Sequence, residues 1–210
     1  MKKKRNSTDK AYIIIGAGGH ASVVADALLQ SGCTIKGYLD DAAAIGTTAL
    51  GAAIIGRTAD CINHTGCLFI IGIGDNSVRK RIAEEYHLEY GTAIHPTAVI
   101  GQNVEIGAGS VLMAGCVINP GTVIGEHCII NTKASIDHDN AVGNFSHISP
   151  GAALGGTVNI GDGTHVGIGA CIKNNVIICG NVVIGAGAAV VRDIKEPGVY
   201  VGVPAGRQVE

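Results

Sequence analysis

A chain of 210 residues with a formal net charge of −2 has room for a substantial core or for two domains. Its near-neutral balance gives no reason to expect nucleic acid or an anionic membrane as partner, and no apolar run approaches the length of a membrane span. Glycine numbers 32 and aromatics make up only 3%, a bias toward tight corners over a conventional packed α/β interior. The basic start Lys2-Lys3-Lys4-Arg5 runs into polar residues, so residues 1–10 read as a flexible basic tail and not as a secretory signal. The 7 cysteines form no Cys-x-x-Cys pair, which points to reduced thiols and a cytoplasmic location.

Tyr12–Ile15 is an apolar predicted strand ending at Gly16-Ala17-Gly18-Gly19-His20-Ala21. A helical pattern follows (Val23, Val24, Ala27, Leu28) and stops near Ser31-Gly32. Ile35–Leu39 reads as a second strand, ending at Asp40-Asp41. Leu68–Ile73 reads as a third, leading into Gly74-Asp75-Asn76-Ser77. From Ser77 to Tyr86 the charges fall on one helical face, with Val78 and Ile82 on the other. Residues 11–93 thus read as a β-α-β-α unit with a parallel sheet, half a dinucleotide fold. The stretch between residues 42 and 66 carries no motif. The glycine loop matches Gly-x-Gly-x-x-Ala between strand and helix, where backbone N–H groups can face a phosphate and Asp40 a ribose. Three strands suit a single nucleotide or a nucleotide diphosphate sugar better than NAD; NAD and a merely structural glycine turn are the alternatives. His20 could meet a substrate at the helix start, or serve only as a cap or surface residue.

From Ile94 to Lys195 the chain reads in sixes, seventeen hexads that each open with Ile, Leu or Val. A helix repeats its apolar positions every 3.6 residues and a paired strand every 2, so a strict six indicates a solenoid of short parallel strands. The aliphatic residue points inward, and the small or β-branched fifth residue (Ala98, Val104, Ser110, Cys116, Thr122) lets the wall close. Asp162-Gly163 and Gly180-Asn181 suit corners that need positive φ. Three hexads make one triangular turn, so residues eighteen apart should stack. Residues 196–210 leave the register and are expected to cap the last coil.

Asp137-His138-Asp139 is the sharpest chemical feature, with His138 and Asp139 at the third and fourth hexad positions, an outward corner. Histidine is the commonest general base, and a flanking carboxylate holds one ring nitrogen as donor while raising the basicity of the other. The alternative for one histidine in a generic repeat is solvated decoration. His147 and His165 both take the outward sixth position and should stack on adjacent coils. Two imidazoles without a third ligand make a poor metal site, so no metal is expected, and a subunit interface or ligand groove is the better reading. His64, His87, His95 and His127 are assigned nothing.

The chain beyond its basic tail resembles the bacterial sugar-nucleotide acetyltransferases that join an N-terminal β-α-β domain to a left-handed parallel β-helix. It resembles in particular the UDP-4-amino-sugar N-acetyltransferases of the bacillosamine pathway and the GDP-perosamine N-acetyltransferases. The matching residues are the GAGGH of 16–20, Asp40-Asp41, the IGDN of 73–76, the INTKASIDHD of 130–139, the FSHISPGA of 145–152 and the VGVPA of 201–205. The resemblance implies an acetyl-CoA-dependent N-acetyltransferase acting on a nucleotide-linked amino sugar, with O-acetylation of a sialic-acid type or a non-catalytic sugar-nucleotide-binding trimer as alternatives. It implies His138 as base and Asp139 as the acid that raises its basicity, an Asp where some relatives carry the longer Glu. It implies substrate contacts at Gly18, Gly19, His20, Asp40, Asp41 and Gly74, and acetyl-CoA contacts at His147, Ile168 and Ala186. It further implies a homotrimer with sites between neighbouring coils, residues 11–93 as the nucleotide-sugar domain and residues 94–195 as the acyltransferase domain. Gly206 stands where relatives often have Lys.

Overall fold

The computed structural model describes residues 10–208; the basic run Lys2–Arg5 lies outside them, while Lys10, at the end of the expected tail, pairs with Glu89. The N-terminal unit comprises β1 (Tyr12–Ile15), α1 (Gly19–Gln30), β2 (Ile35–Leu39), β3 (Thr48–Ala49), β4 (Ala52–Gly56), β5 (Leu68–Ile71) and α2 (Asn76–Glu85). The sheet order is β3-β4-β2-β1-β5. All pairs are parallel except the β3–β4 hairpin. β1 and β5 are buried along their whole length, as expected of parallel strands covered on both faces. Two strands beyond the expected three, and a 3-10 turn at Thr58–Asn63, come from the stretch without a motif. Ala52-Ala53-Ile54-Ile55 shows neither alternation nor a long apolar run, so periodicity passes over it.

α1 turns Ala21, Val24, Ala25 and Leu28 inward. α2 departs from its expected pattern, because Arg79, placed by periodicity on a charged face, is 1% exposed.

From Ala93 the chain winds as a left-handed parallel β-helix. Two-residue strands recur every six residues from Val99–Ile100 to Ile177–Ile178. Partners lie eighteen apart: Val111↔Ile129↔His147↔His165 on a first face, Val99↔Val117↔Ser135 on a second, Glu105↔Val123↔Ala141 on a third. The leading aliphatics from Leu112 to Val190 are at most 3% exposed, each contributing about 1.5–3 kcal/mol by burial. Hydroxyls at the fifth position would be costly in such a core without partners. Each donates instead to a carbonyl fifteen residues on: Ser110 to Gly125, Thr122 to Asp137, Ser146 to Gly161, Thr164 to Cys179.

Every fourth position from Asn103 to Gly187 has positive φ. Glycine fills only some of these corners; His127, Asp139, Phe145 and Thr157 adopt the same left-handed turn at φ 53–59°. A side chain at such a corner is strained by about 1–2 kcal/mol. After Val190 the coil shortens by two residues, and Ile194 bridges Ile178. Gly198–Val201 then adds in parallel to Val182–Ile184, and Gly206–Arg207 folds back on it, so the tail extends the first face.

The N-terminal unit sits on that first face. Val111, Met113 and Ile129 share one apolar cluster with Ala21, Val24, Leu28 and Tyr38. The outward Val111, Ile129 and His147 of this face are therefore buried, whereas Val183, further along it, is exposed.

Candidate active site

The glycine loop lies beyond the carboxyl end of β1, where open α/β sheets bind ligands. Gly16 has φ +95°, and a Cβ there would meet Ile73 Cγ1 at 2.8 Å. Gly18 and Gly19 face open space, with Gly18 at the N-cap of α1 making no side-chain bond, so the loop is bare backbone at a helix N-terminus. Asp40 is already engaged by backbone N–H groups. Its Oδ2 accepts from Ala17 N–H at 2.7 Å, and its Oδ1 accepts from Ala42 and Ala43 at 2.9 and 2.7 Å. Burial opposes its charge, but these N–H groups hold the carboxyl below its ordinary range. Asp40 thus ties the loops after β1 and β2 together, a job that spacing does not reveal. Asp41 accepts from Thr58 N–H. Both acids line a cavity of about 540 Å³ with Gly16, Thr58, Arg81, Glu85 and Tyr86.

Arg79 is the residue periodicity missed. Its Nε donates to His127 O at 3.0 Å and its Nη1 to Ile73 O and Gly74 O at 3.2 and 3.0 Å. Its Nη2 donates to Asn76 Oδ1 at 2.8 Å and Phe145 O at 2.9 Å. Asn76 in turn donates to Gly163 O. One buried guanidinium therefore holds the 73–76 loop against the coil corner of His127 and Phe145. Burial lowers its pKa to about 10, which leaves it charged at neutral pH. A single Arg inside a short helix carries no sequence signal for this.

Around that cation the histidines are neutral. His147 and His165 stack with centroids 4.7 Å apart, as their spacing predicts, but His147 is buried beneath the N-terminal unit, with His20 6.3 Å away. Its Nε2 bonds Asn131 at 3.0 Å, whereas its buried Nδ1 lies by the Gly74 backbone without a bond of normal length. His20 Nε2 is likewise buried and unpartnered among the described residues. Burial, with Arg79 nearby, lowers His20 to about 4. Burial, then the His165 and Arg79 charges, lower His147 to about 3. His127, assigned nothing from sequence, stacks on Phe145 at 5.1 Å and meets Tyr90 edge-on. Among the described residues no group of three or more His, Cys, Asp or Glu is arranged to hold a metal.

His138 stands at the corner between the second and third faces. Its Nδ1 bonds Asp139 Oδ2 at 2.8 Å, with both side chains more than half exposed. The bond to Asp139, then the charge of Asp137, raise its pKa above the ordinary value. With Nδ1 as donor, the neutral ring presents Nε2 as an acceptor. The short Asp arm reaches because the corner turns it at φ 56°. Glycines flank the pair: a Cβ on Gly121 would meet Asp139 Oδ1 at 2.5 Å, and one on Gly156 would meet His138 Nε2 at 2.6 Å. The Gly156 N–H, beside that ring, donates to no backbone carbonyl among the described residues.

The structure brings together His20, Gly74 and His147, and stacks the exposed Ile168 and Ala186 on the corner between the first and second faces. His138 and Asp139 occupy another corner, one side of the triangle away. Among the described residues, none of the hydrogen bonds that tie the N-terminal unit to the coil reaches that corner. One chain does not assemble all the expected residues at one point.

The chain matches the PglD N-terminal domain over residues 12–86 and the bacterial transferase hexapeptide repeat over residues 97–138. It is 37% identical over 114 residues to the UDP-N-acetylbacillosamine N-acetyltransferase of Bacillus subtilis, an alignment covering 50% of this chain and 52% of that protein. The chain spans about half or less of the length of the curated relatives it matches. Among solved structures it is similar to the acetyltransferase domain of PglB from Neisseria gonorrhoeae, with TM-score 0.90 and 34% identity over 95% of this chain and 100% of that one. It is similar also to PerB from Caulobacter crescentus in complex with CoA and GDP-perosamine, with TM-score 0.89 and 34% identity over 95% and 97% of the two chains.

Proposed function

The chain belongs to the sugar-nucleotide N-acetyltransferases of the left-handed β-helix superfamily, and from that premise we propose that it transfers the acetyl group of acetyl-CoA to the amino group of a nucleotide-linked sugar, such as a UDP-4-amino-4,6-dideoxy sugar. The observation that carries the reading is the His138–Asp139 pair, with Nδ1 engaged and Nε2 free at an exposed corner. A sugar amine attacking the thioester carbonyl forms the C–N bond and must shed a proton, which Nε2 accepts. The tetrahedral oxyanion collapses, the C–S bond breaks, and the CoA thiolate takes the proton back from the imidazolium. The free N–H of Gly156 is the candidate oxyanion donor, a contribution of about 3 kcal/mol for one such group. No acyl-enzyme is required, since a deprotonated, well-placed amine is itself a good nucleophile.

In this reading residues 11–93 hold the nucleotide sugar through Gly18, Gly19, His20, Asp40, Asp41 and Gly74, and residues 94–195 carry the chemistry, with residues 196–210 as cap. His147, Ile168 and Ala186 contact acetyl-CoA. A homotrimer would bring the His138 corner of one copy to the nucleotide loop of its neighbour, which the separation within a single chain supports. The thiols, without a disulfide framework in their spacing, favour a cytoplasmic location. The test is product formation, measured by mass, from acetyl-CoA and a panel of UDP- and GDP-amino sugars. No acetylated product from any of them overturns the proposal, and full turnover by His138→Ala removes His138 from it.

A further inference from the structure

One residue of the coil interior breaks the chemistry of its column. The fifth hexad positions hold Ala, Val, Ser, Thr, Cys or Ile from Ala98 to Ile194, except for Asn140, which is 2% exposed. Each serine and threonine in this column donates to the carbonyl fifteen residues on, and Ser110, Thr122 and Thr164 also accept from the N–H eighteen on, as Ser110 does with Gly125 and Cys128. Asn140 does the same with Gly155 O at 3.0 Å and Val158 N–H at 3.0 Å. It does something further that no hydroxyl in the column does. Its Nδ2 reaches back along its own corner to Asp137 O at 2.7 Å and His138 O at 3.2 Å.

The same corner is held from the preceding coil. Asn119 Nδ2 donates to Asp137 Oδ1 at 2.8 Å, and that oxygen also accepts the His138 N–H at 2.8 Å. Thus the His138 peptide is bonded at its N–H through Asp137, and at its carbonyl by the Thr157 N–H of the next coil at 2.9 Å and by Asn140 of its own corner at 3.2 Å. The ring it carries is more than half exposed, so side-chain packing alone cannot keep Nε2 in place. A base must sit within hydrogen-bond reach of the proton it takes, and a displacement near 1 Å is costly.

We infer that Asn140 is a positioning residue for the proposed base, fixing the His138 backbone from inside the coil so that its imidazole stays aimed outward. The inference rests on the acetyltransferase reading above.

Asn140→Ser is the discriminating change, because serine can keep the bonds to Gly155 and Val158 that the column needs while losing those to Asp137 and His138. The variant should retain its thermal unfolding midpoint and its KM for both substrates, and lose about tenfold in kcat. Placed in a His138→Ala background it should cost nothing more, since a residue acting through the imidazole has nothing left to position. A wild-type kcat for Asn140→Ser overturns the inference, and so does the same loss repeated in the double variant, which marks a general structural role. Full turnover by His138→Ala alone defeats the base assignment itself and is read from a separate arm.

Discussion

Replacing Gly156 by alanine tests the geometry of the His138 corner most directly. The backbone at Gly156 is not in the left-handed region, so alanine is not strained there, and the three atoms nearest its Cβ all belong to the His138 ring. That Cβ would stand 2.6 Å from Nε2. The ring must retreat by about 0.8 Å before contact becomes ordinary at 3.4 Å, and a misplacement on that scale costs up to about a hundredfold in rate. The Gly156 N–H survives the substitution, so an oxyanion contact made by the backbone is retained. We expect kcat for N-acetylation to fall between about tenfold and a hundredfold, with an unchanged unfolding midpoint and similar binding of CoA. Product formation by mass spectrometry at saturating acetyl-CoA measures it. A Gly156→Ala variant with wild-type kcat would show that the ring does not work from the position described.

Asp139→Asn keeps a residue type suited to positive φ but removes the carboxylate that raises His138; the ascending limb of the kcat–pH profile should move to lower pH as kcat falls, and an unmoved limb refutes the pairing. Arg79→Met leaves the carbonyls of His127, Phe145, Ile73 and Gly74 without their donor, which should destabilise the chain by about 3 kcal/mol or more and raise KM for the nucleotide sugar; chemical denaturation and kinetics report the two separately. His127 and His147 are held neutral at about 4 and about 3 against an unfolded value of 6.5, so the stability they confer is complete above pH 6.5 and is lost as pH falls toward those folded values. Each should add up to about 1.4 kcal/mol per pH unit to the loss, and an unfolding midpoint that is flat between neutrality and pH 4.5 would contradict their burial. Mixing His138→Ala with His20→Ala protein, each impaired in a different half of the proposed site, under subunit exchange should raise turnover above that of either alone if one site spans two copies; no gain despite verified exchange counts against a shared site.

The coil was legible because its signal repeats. Leu112, Ile130, Ile148 and Val166 each report the same inward direction, so a misreading at one coil is corrected by the next. The stacking of His147 on His165 followed from the eighteen-residue turn alone. What covers them did not, because the covering unit lies far away in sequence and its loop is tied down by a single Arg79. The same limit applies to β3 and β4, two short strands whose alanines have no period. Asp40 was legible as important but not in its tie between two loops: spacing places an acid near the glycine loop, and only the structure shows three backbone N–H groups bonded to it.

A strict repeat also makes its exceptions informative. A β-helix is satisfied by an aliphatic residue at the first position, a small one at the fifth and glycine or asparagine at the fourth. Several of the costlier residues at these places meet a partner, although Lys133 and Thr157 hold strained fourth positions with no side-chain hydrogen bond among the described residues. Phe145 and His127 accept strained fourth positions and stack to form the corner that receives Arg79. Asp139 accepts the same strain and meets His138, and Asn140 replaces a hydroxyl in the interior to bond the peptide that carries that ring. Asp139 and Asn140 are adjacent in sequence, fall on different hexad positions and depart from two different rules, yet both bear on one imidazole. Neighbouring corners bear the strain of Asp139, and Asn140 also meets the ordinary needs of its column at Gly155 and Val158; what is particular to the two is the bond each makes at the His138 corner. On the proposed reading, orientation of His138 accounts for both.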